Sequence, residues 1–414
     1  MKRYCKQIDI TDRNLISLAA YQCLDGKITR FDTLRMLAKY AGLTHHQIYA
    51  IYHRYGERYL DGAVELVIDA IREEILNRSV DLIPIWYKEK VDPSSHKIRK
   101  IGIQNVKQQI YDYIAVNAME PILKRIGEHQ YASIPERGPD KGVARIHRWM
   151  KDKEIRYIAK ADVKKCFNSI RKEKVMAFLQ KYIANEPLLW LIDTLLDTFD
   201  GGLSIGSYLS QHLCNLYMSQ LYHEIAERMY RIRKQRTGNA LRVRLVKRQL
   251  LYMDDLFLAG SSCKDMHAAI KNIMICLRKM GLKLKNNWIV TKCAWTNRCN
   301  DKRFMDIMGR RIYRWHVTIR RRVFLRVRRA YKKALKCIQT HMPIPERLAR
   351  KCMSYWGQIK RTDSYKIRKK YKAQKVRAIC RRRLSKIDKS KVSGRTAGNP
   401  DCYTRRETLC VCLP

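Results

Sequence analysis

The chain has 414 residues, 46% of them hydrophobic, enough apolar material for two or three compact units and too much for wholesale disorder. Its 86 Lys and Arg against 38 Asp and Glu leave a formal charge of +48, a self-repulsion that opposes compaction until a polyanion neutralises it. Nucleic acid, held through its phosphates, is therefore the expected partner. No stretch approaches the roughly 20 apolar residues that a bilayer span needs. Met1-Lys2-Arg3-Tyr4-Cys5 leads into no secretory core, so a cytoplasmic location without a membrane partner is expected.

From Asn14 to about Val80 apolar residues recur at helical spacing, as in Leu34, Leu37, Ala38 and Ala41, and again from Val64 to Ile71. Gly42 and Gly62 punctuate the run, so residues 1–90 are expected to form a helical N-terminal extension. Asp92 to Lys100 turns polar, as a loop entering a basic strand would. Helical spacing resumes through Ile110, Tyr113, Ile114 and Ala118. Arg156 to Val163 alternates like a strand, and a helical pattern runs from about Lys172 to Leu196. Arg248 to Gly260 has the form of two short strands around a turn, followed by a helix from Lys264 to Met280. This order predicts an α+β fold with helices on one face of an antiparallel sheet. Beyond Met308-Gly309 the chain becomes helical and intensely basic, and no repeat recurs at periods of roughly 20–50 residues. The 14 cysteines are scattered; only Cys410 and Cys412 are close, and no pair has zinc or disulfide-scaffold spacing, so they are expected to be small apolar side chains.

The chemistry gathers at Leu250-Leu-Tyr-Met-Asp-Asp-Leu-Phe-Leu258, where two adjacent carboxylates sit between apolar runs. Burying one unpaired carboxylate costs several kcal/mol. Either solvent at an ordinary hairpin turn or a divalent cation, which takes carboxylate oxygens, offsets that cost. Asp162 ends another strand-like run, Tyr157-Ile-Ala-Lys-Ala-Asp162. If the two strands are neighbours, three carboxylates converge on one sheet edge, as two Mg²⁺ ions about 3.5–4 Å apart require.

Tyr252-Met253-Asp254-Asp255 resembles the YxDD signature of reverse transcriptases, and Asp162-xxxx-Phe167 resembles the motif carrying their third metal ligand. The resemblance implies a right-hand polymerase with fingers, palm and helical thumb, in which Asp162, Asp254 and Asp255 are catalytic. Those aspartates and the Val163 carbonyl would hold two Mg²⁺, with Mn²⁺ as a substitute. Phe167 matches the aromatic that blocks the 2′-hydroxyl and selects deoxynucleotides; as a residue it is equally a plain core aromatic. Ile205-Gly206-x-x-x-Ser210-Gln211 resembles the template-contacting motif in the form found in diversity-generating retroelement enzymes and related bacterial defence enzymes. Read without the family, it is a loop and helix cap at Ser207 or Ser210.

Tyr131 to Gly142 resembles the fingers segment, with Arg137 and Lys141 placed to hold phosphate, and Lys97-Ile-Arg99-Lys100 matches the basic strand that begins the fingers. Gly281 to Trp288 resembles the segment closing the palm; it departs by ending in Trp288 where a lysine is usual, with Lys283 or Lys285 as the acid for pyrophosphate. Met305-Asp-Ile-Met308-Gly309 resembles the primer-grip turn, and Arg320, Arg321 and Arg322 begin a thumb lying on template–primer. The expected domains are residues 1–90, fingers and palm over 91–310, thumb over 311–375, and a basic flexible tail over 376–414. The implied partners are an RNA template, a DNA or RNA primer, deoxynucleoside triphosphates and a small basic accessory protein. The setting is a retroelement or antiphage defence; a scaffold that binds RNA without catalysis is the reading from another class.

Overall fold

A computed structural model describes residues 2–91, 98–234, 239–293 and 303–396. It divides into two compact units, one comprising Met1–Gly142 and Lys153–Lys292, the other Val143–Asp152 and Cys293–Pro414.

The first unit opens with four helices: α1 (Arg13–Leu24), α2 (Phe31–Tyr40), α3 (His45–Tyr55) and α4 (Asp61–Leu76). Asp12 caps α1 by accepting from the Asn14 amide, and Thr44 with Gln47 forms a reciprocal capping box on α3. The buried residues of α4, Val64, Val67, Ile68, Ile71 and Ile75, follow the helical repeat and give one apolar stripe. Helix α1 packs between α4 and the next long helix, α5 (Val106–Ala118). Strands β1 (Trp86–Val91) and β2 (Ile98–Ile103) form an antiparallel ribbon before α5.

After α5 come α6 (Glu120–Leu123), β3 (Gln130–Tyr131), α7 (Pro139–Met150), β4 (Tyr157–Asp162) and α8 (Cys166–Ser169). The helical run expected over Lys172–Leu196 is two helices, α9 (Lys172–Tyr182) and α10 (Glu186–Asp197). The break has a cause: Tyr4 pairs with the chain between them, its amide donating to the Tyr182 carbonyl at 2.7 Å and its carbonyl accepting from Ala184 at 3.0 Å, while Pro187 favours a fresh first turn. Helix α11 (Tyr208–His223) leads to a ribbon of β5 (Tyr230–Lys234) and β6 (Ala240–Arg244), then β7 (Arg248–Tyr252), β8 (Asp255–Gly260), α12 (Cys263–Lys279) and β9 (Ile289–Lys292).

The central sheet has the order β3-β7-β8-β4-β9. It is antiparallel except at its edge, where β3 runs parallel to β7. Only β7 and β8 are joined by a tight hairpin, which obliges antiparallel pairing; β3 arrives by a long connection and is free of that constraint. Helix α12 packs on β8, β4 and β9, and α11 on β3. One hydrophobic core runs from Cys5 through the N-terminal helices to Leu282, so the first four helices share their interior with the sheet.

The second unit holds a three-stranded sheet, β10 (Met305–Ile307), β11 (Arg310–Ile312) and β12 (Val317–Ile319), and helices α13 (Arg321–Gln339), α14 (Glu346–Lys360), α15 (Tyr365–Lys370) and α16 (Ala373–Thr396). Its boundary at Cys293 precedes the one expected at 310, and it includes the Val143–Asp152 segment. Arg314 ties these pieces together, donating to the Asp152 carbonyl at 2.6 Å and to Cys293 Sγ at 3.3 Å. The flexible tail expected from residue 376 is instead helical as far as Thr396, because Ala373, Val376 and Cys380 fall at helical spacing and are buried against α14. The cysteines among the described residues are free thiols, most of them buried. No helix among the described residues is long and apolar enough to cross a membrane.

The shared core makes a prediction. Ile71→Ala, at a fully buried position of α4, lowers unfolding stability by about 2–4 kcal/mol, and hydrogen exchange shows α4, β4 and β8 losing protection together. Protection lost from α4 alone would show the N-terminal helices to be an independent unit.

Candidate active site

The sheet register brings the carboxylates together. Strand β4 ends at Asp162, β8 begins at Asp255, and the two are cross-strand partners in the last antiparallel pair. Directly opposed residues of such a pair project on the same face with Cβ atoms about 5 Å apart. Tyr252 pairs with Asp255 across a turn whose only two residues are Met253 and Asp254, and Met253 has φ +53°. A non-glycine residue in the left-handed region is uncommon and clusters at functional sites. The Asp254 carbonyl accepts from the Val163 amide at 2.9 Å, which pins the turn to the end of β4. On the other side Val163 bridges Leu284, with Lys164 donating to Lys283 and Lys285 donating to the Asp162 carbonyl, both at 2.8 Å.

Electrostatics follow from this crowding. Burial raises the Asp255 carboxyl to about 8, helped by the hydrogen bond it shares with Asp162 and by the charges of Asp162 and Asp254, against the pull of Lys160. For Asp162 burial acts in the same upward sense, yet the bond from Asp255 and the charges of Lys160 and Lys285 outweigh it and hold the group below the usual carboxylate range. The two carboxyls titrate as a pair, and together they hold a proton more readily than isolated carboxylates do. Burial also raises Asp254, while Lys285 and Arg99 of β2 pull it down. Lys160 Nζ lies 3.7 Å from Asp255 and Lys285 Nζ lies 3.7 Å from Asp162. Of the two lysines proposed from sequence for pyrophosphate, Lys285 is the one ion-paired with these carboxylates. Trp288, in the place of a lysine, packs edge-on against His267 with ring centroids 5.7 Å apart and belongs to the core margin.

The Ser-Gln loop is built on a carboxylate that the sequence did not single out. Asp112 of α5 is fully buried; its Oδ2 accepts from the Ser207 hydroxyl at 2.8 Å and the Leu209 amide at 3.2 Å, and its Oδ1 accepts from Gln104 at 3.2 Å. Burial raises it to about 6 although these donors pull the other way. Ser207 in turn caps α11 through the Ser210 amide. Ser210 is itself buried, its hydroxyl accepting from the Ser204 amide at 3.1 Å, so it holds the loop. Gln211 is half-buried and accepts from the Ser133 hydroxyl. Gly206 has φ +121°, and a Cβ there would stand 2.4 Å from the Gly102 carbonyl; the Gly102 amide donates to Ile205 at 2.7 Å. Gly206 thus lets β2 close on the loop, bringing Arg99 within electrostatic reach of Asp254. Tyr208 stacks on Tyr113 at 3.9 Å. Burial lowers the neighbouring His212 to about 4, so it stays neutral.

The remaining expected site residues are dispersed. Arg137 donates to the Gly127 carbonyl at 2.7 Å and braces its own loop, where Ala132, Ser133 and Glu136 all have positive φ; Lys141 is exposed and ion-pairs with Glu136 at 3.2 Å. Phe167 is half-buried at the edge of the core, and its carbonyl accepts from Leu203 at 3.1 Å. Lys97 lies outside the described residues. In the second unit Met308 (φ +50°) and Gly309 (φ +78°) form the two-residue turn between β10 and β11, the conformation that an I′ hairpin demands. Arg320 is engaged by Asp306 at 2.6 Å, while Arg321 and Arg322 are exposed at the start of α13.

A helix-backed sheet with facing aspartates at the end of one strand and the turn of an adjacent hairpin is the palm of a template-directed polymerase. Residues 88–312 match the family model described as reverse transcriptase (RNA-dependent DNA polymerase), which is more than half of the chain. The chain belongs to that family and is an RNA-directed DNA polymerase, a nucleotidyltransferase acting on a nucleic-acid template and primer with deoxynucleoside triphosphates. No curated protein matches it. Domains of this family generally use divalent metal ions. Among the described residues no three His, Cys, Asp or Glu side chains are gathered closely enough to cage a metal. The donor chemistry nevertheless fits a hard cation, since Asp162 and Asp255 are directly opposed across the strands and offer carboxylate oxygens.

Two outcomes are expected. Gly206→Ala forces a side chain against Gly102 at a strained φ, costing roughly 1–3 kcal/mol and lowering both melting temperature and primer extension. Asp112 has a folded-state pKa above its ordinary value, so the stability it contributes is present below pH 4 and lost as pH rises through about 6. The wild-type minus Asp112→Asn difference in unfolding free energy, measured by urea titration, should therefore fall across that window; a flat difference would refute it.

Proposed function

We propose that this reverse transcriptase extends a primer on an RNA template by two-metal-ion catalysis, with Asp162, Asp254 and Asp255 as the ligand carboxylates, in a diversity-generating retroelement. The observation that supports the chemistry is the in-register pairing of Asp162 with Asp255, which sets two carboxylates face to face at the end of a buried sheet. The Ile205-Gly206-x-x-x-Ser210-Gln211 form supports the setting.

When bound, two Mg²⁺ ions, or Mn²⁺ in their place, lower the pKa of the primer 3′-hydroxyl and neutralise charge on the triphosphate. Asp162, Asp254 and Asp255 would hold the ions through their carboxylate oxygens, and the ions would favour the ionised form of the Asp162–Asp255 pair. The Val163 carbonyl, beside the Asp254 turn, is a main-chain donor to the same site. Lys285 would meet negative charge leaving as pyrophosphate, and Lys160 lies 3.7 Å from Asp255. Phe167, half-exposed beside the loop, abuts the sugar and disfavours a 2′-hydroxyl. Arg137, Lys141 and Gln211 line the approach of the triphosphate, and Arg99 bears on the template strand.

The test is incorporation of labelled deoxynucleotides on a primed RNA template with Mg²⁺, beside the Asp254→Asn/Asp255→Asn double variant. Native synthesis with loss of at least about 10³-fold in the variant, while RNA binding persists, is the expected result; each lost order of magnitude corresponds to about 1.4 kcal/mol of barrier. Equal synthesis by both proteins would sink the assignment.

A further inference from the structure

We propose that the ribbon of β5 and β6 is a second RNA-binding surface, which holds RNA away from the catalytic aspartates. The ribbon belongs to the first unit but springs from the opposite end of the sheet. Its base is closed by the Leu245 amide donating to Met229 at 3.0 Å, and the Leu245 carbonyl lies against Gly260, where a Cβ would meet it at 3.2 Å. Gly260 ends β8 and Asp255 begins it; at a rise of about 3.4 Å per residue the two are roughly 17 Å apart.

Register divides the ribbon into two faces. One carries the pair Arg231–Val243: Arg231 Nε bonds Asp265 Oδ1 of α12 at 2.8 Å, and Val243 is half-buried. That face is turned toward the body of the unit. The other carries the pairs Tyr230–Arg244, Ile232–Arg242 and Lys234–Ala240, all exposed. The Arg242 guanidinium lies over the Tyr230 ring at 4.8 Å, and Ile232 is 65% exposed. No acidic residue occurs in the sequence between Arg228 and Asp254, so no carboxylate of the ribbon quiets this charge.

A face that alternates arginine with aromatic and aliphatic side chains suits phosphates with unpaired bases stacked between them. A protein partner would have to bring a carboxylate to every cross-strand pair of the outer face, each of which contains a cation, whereas a nucleic-acid backbone carries a phosphate at every nucleotide. A membrane would select an apolar side and a basic side, and this face mixes both. The choice of RNA rests on the reverse transcriptase assignment; the placement of the site does not.

The experiment uses the full chain and the variant K234Q/R242Q/R244Q, which removes the cations of the outer face and leaves the Arg231–Asp265 pair intact. A fluorescein-labelled stem-loop RNA with unpaired flanks is titrated over a series of salt concentrations, and extension of a short primed RNA template is followed in parallel. RNA affinity should fall at least tenfold and the salt slope of log affinity by about 2–3, at roughly 0.7–0.9 per lost phosphate contact, with short-template extension retained. Restoring Lys234 and placing lysine at 242 and 244 should recover most of the affinity and slope. Unchanged affinity and slope would overturn the proposal. So would a parallel fall in short-template extension, which would place the ribbon on the template–primer track. Absence of extension from both proteins would count against the polymerase assignment and leave the binding measurement valid.

Discussion

Two carboxylates held face to face by strand register are the constraint around which the first unit is organised. Asp162 and Asp255 repel if both ionise, and burial penalises each charge, so Lys160 and Lys285, each 3.7 Å from one of them, help to relieve the strain. The arrangement persists because neither strand can slip. A one-residue shift of β4 against β8 would send Asp162 to the opposite face and expose Ala161 and Leu256, now cross-strand partners in the core. Packing of α12 on β8, β4 and β9 resists that shift, so the apolar interior enforces the electrostatic arrangement at its edge.

The same dependence extends to the loop before α11. Its serines Ser207 and Ser210 serve mainly to satisfy each other, the Ser204 amide and Asp112, a buried network in which the loss of one partner would strand the rest. Gly206 lets the β1–β2 ribbon close on this loop at van der Waals limits, and thereby puts Arg99 within reach of Asp254. Motif residues that in sequence look like ligand contacts are here partly the scaffold that sets where such contacts fall.

A chain of this charge folds because its cations are kept off its cores. Helix α13 turns Val327, Ala330, Tyr331 and Ala334 inward and Arg328, Arg329, Lys332 and Lys333 outward. The β5–β6 ribbon commits one arginine to Asp265 and displays the others. Charge that would oppose compaction is thereby spent at surfaces where a polyanion can neutralise it.

Local pattern made part of this legible in the sequence: the helical stripes of α1, α4 and α12, the β7–β8 hairpin around Met253-Asp254, and the aspartates that carry the chemistry all depend on neighbours a few residues away. What was not legible depends on partners far along the chain. Asp112 is an ordinary aspartate on an apolar helix until α11 is placed against it; Lys160 is one lysine among many until β4 is registered against β8. Arg320 found its acid, Asp306, on another strand, and Ser210 was buried by a loop whose path Gly102 decides. The breaking of α9 from α10 by Tyr4, and the helix beyond residue 372, likewise needed a tertiary partner. Sequence determined which residues could do chemistry, because periodicity and turn propensity are short-range; only the tertiary structure decided which of them share a proton, a ligand or a core, because register and burial are set by contacts between distant segments.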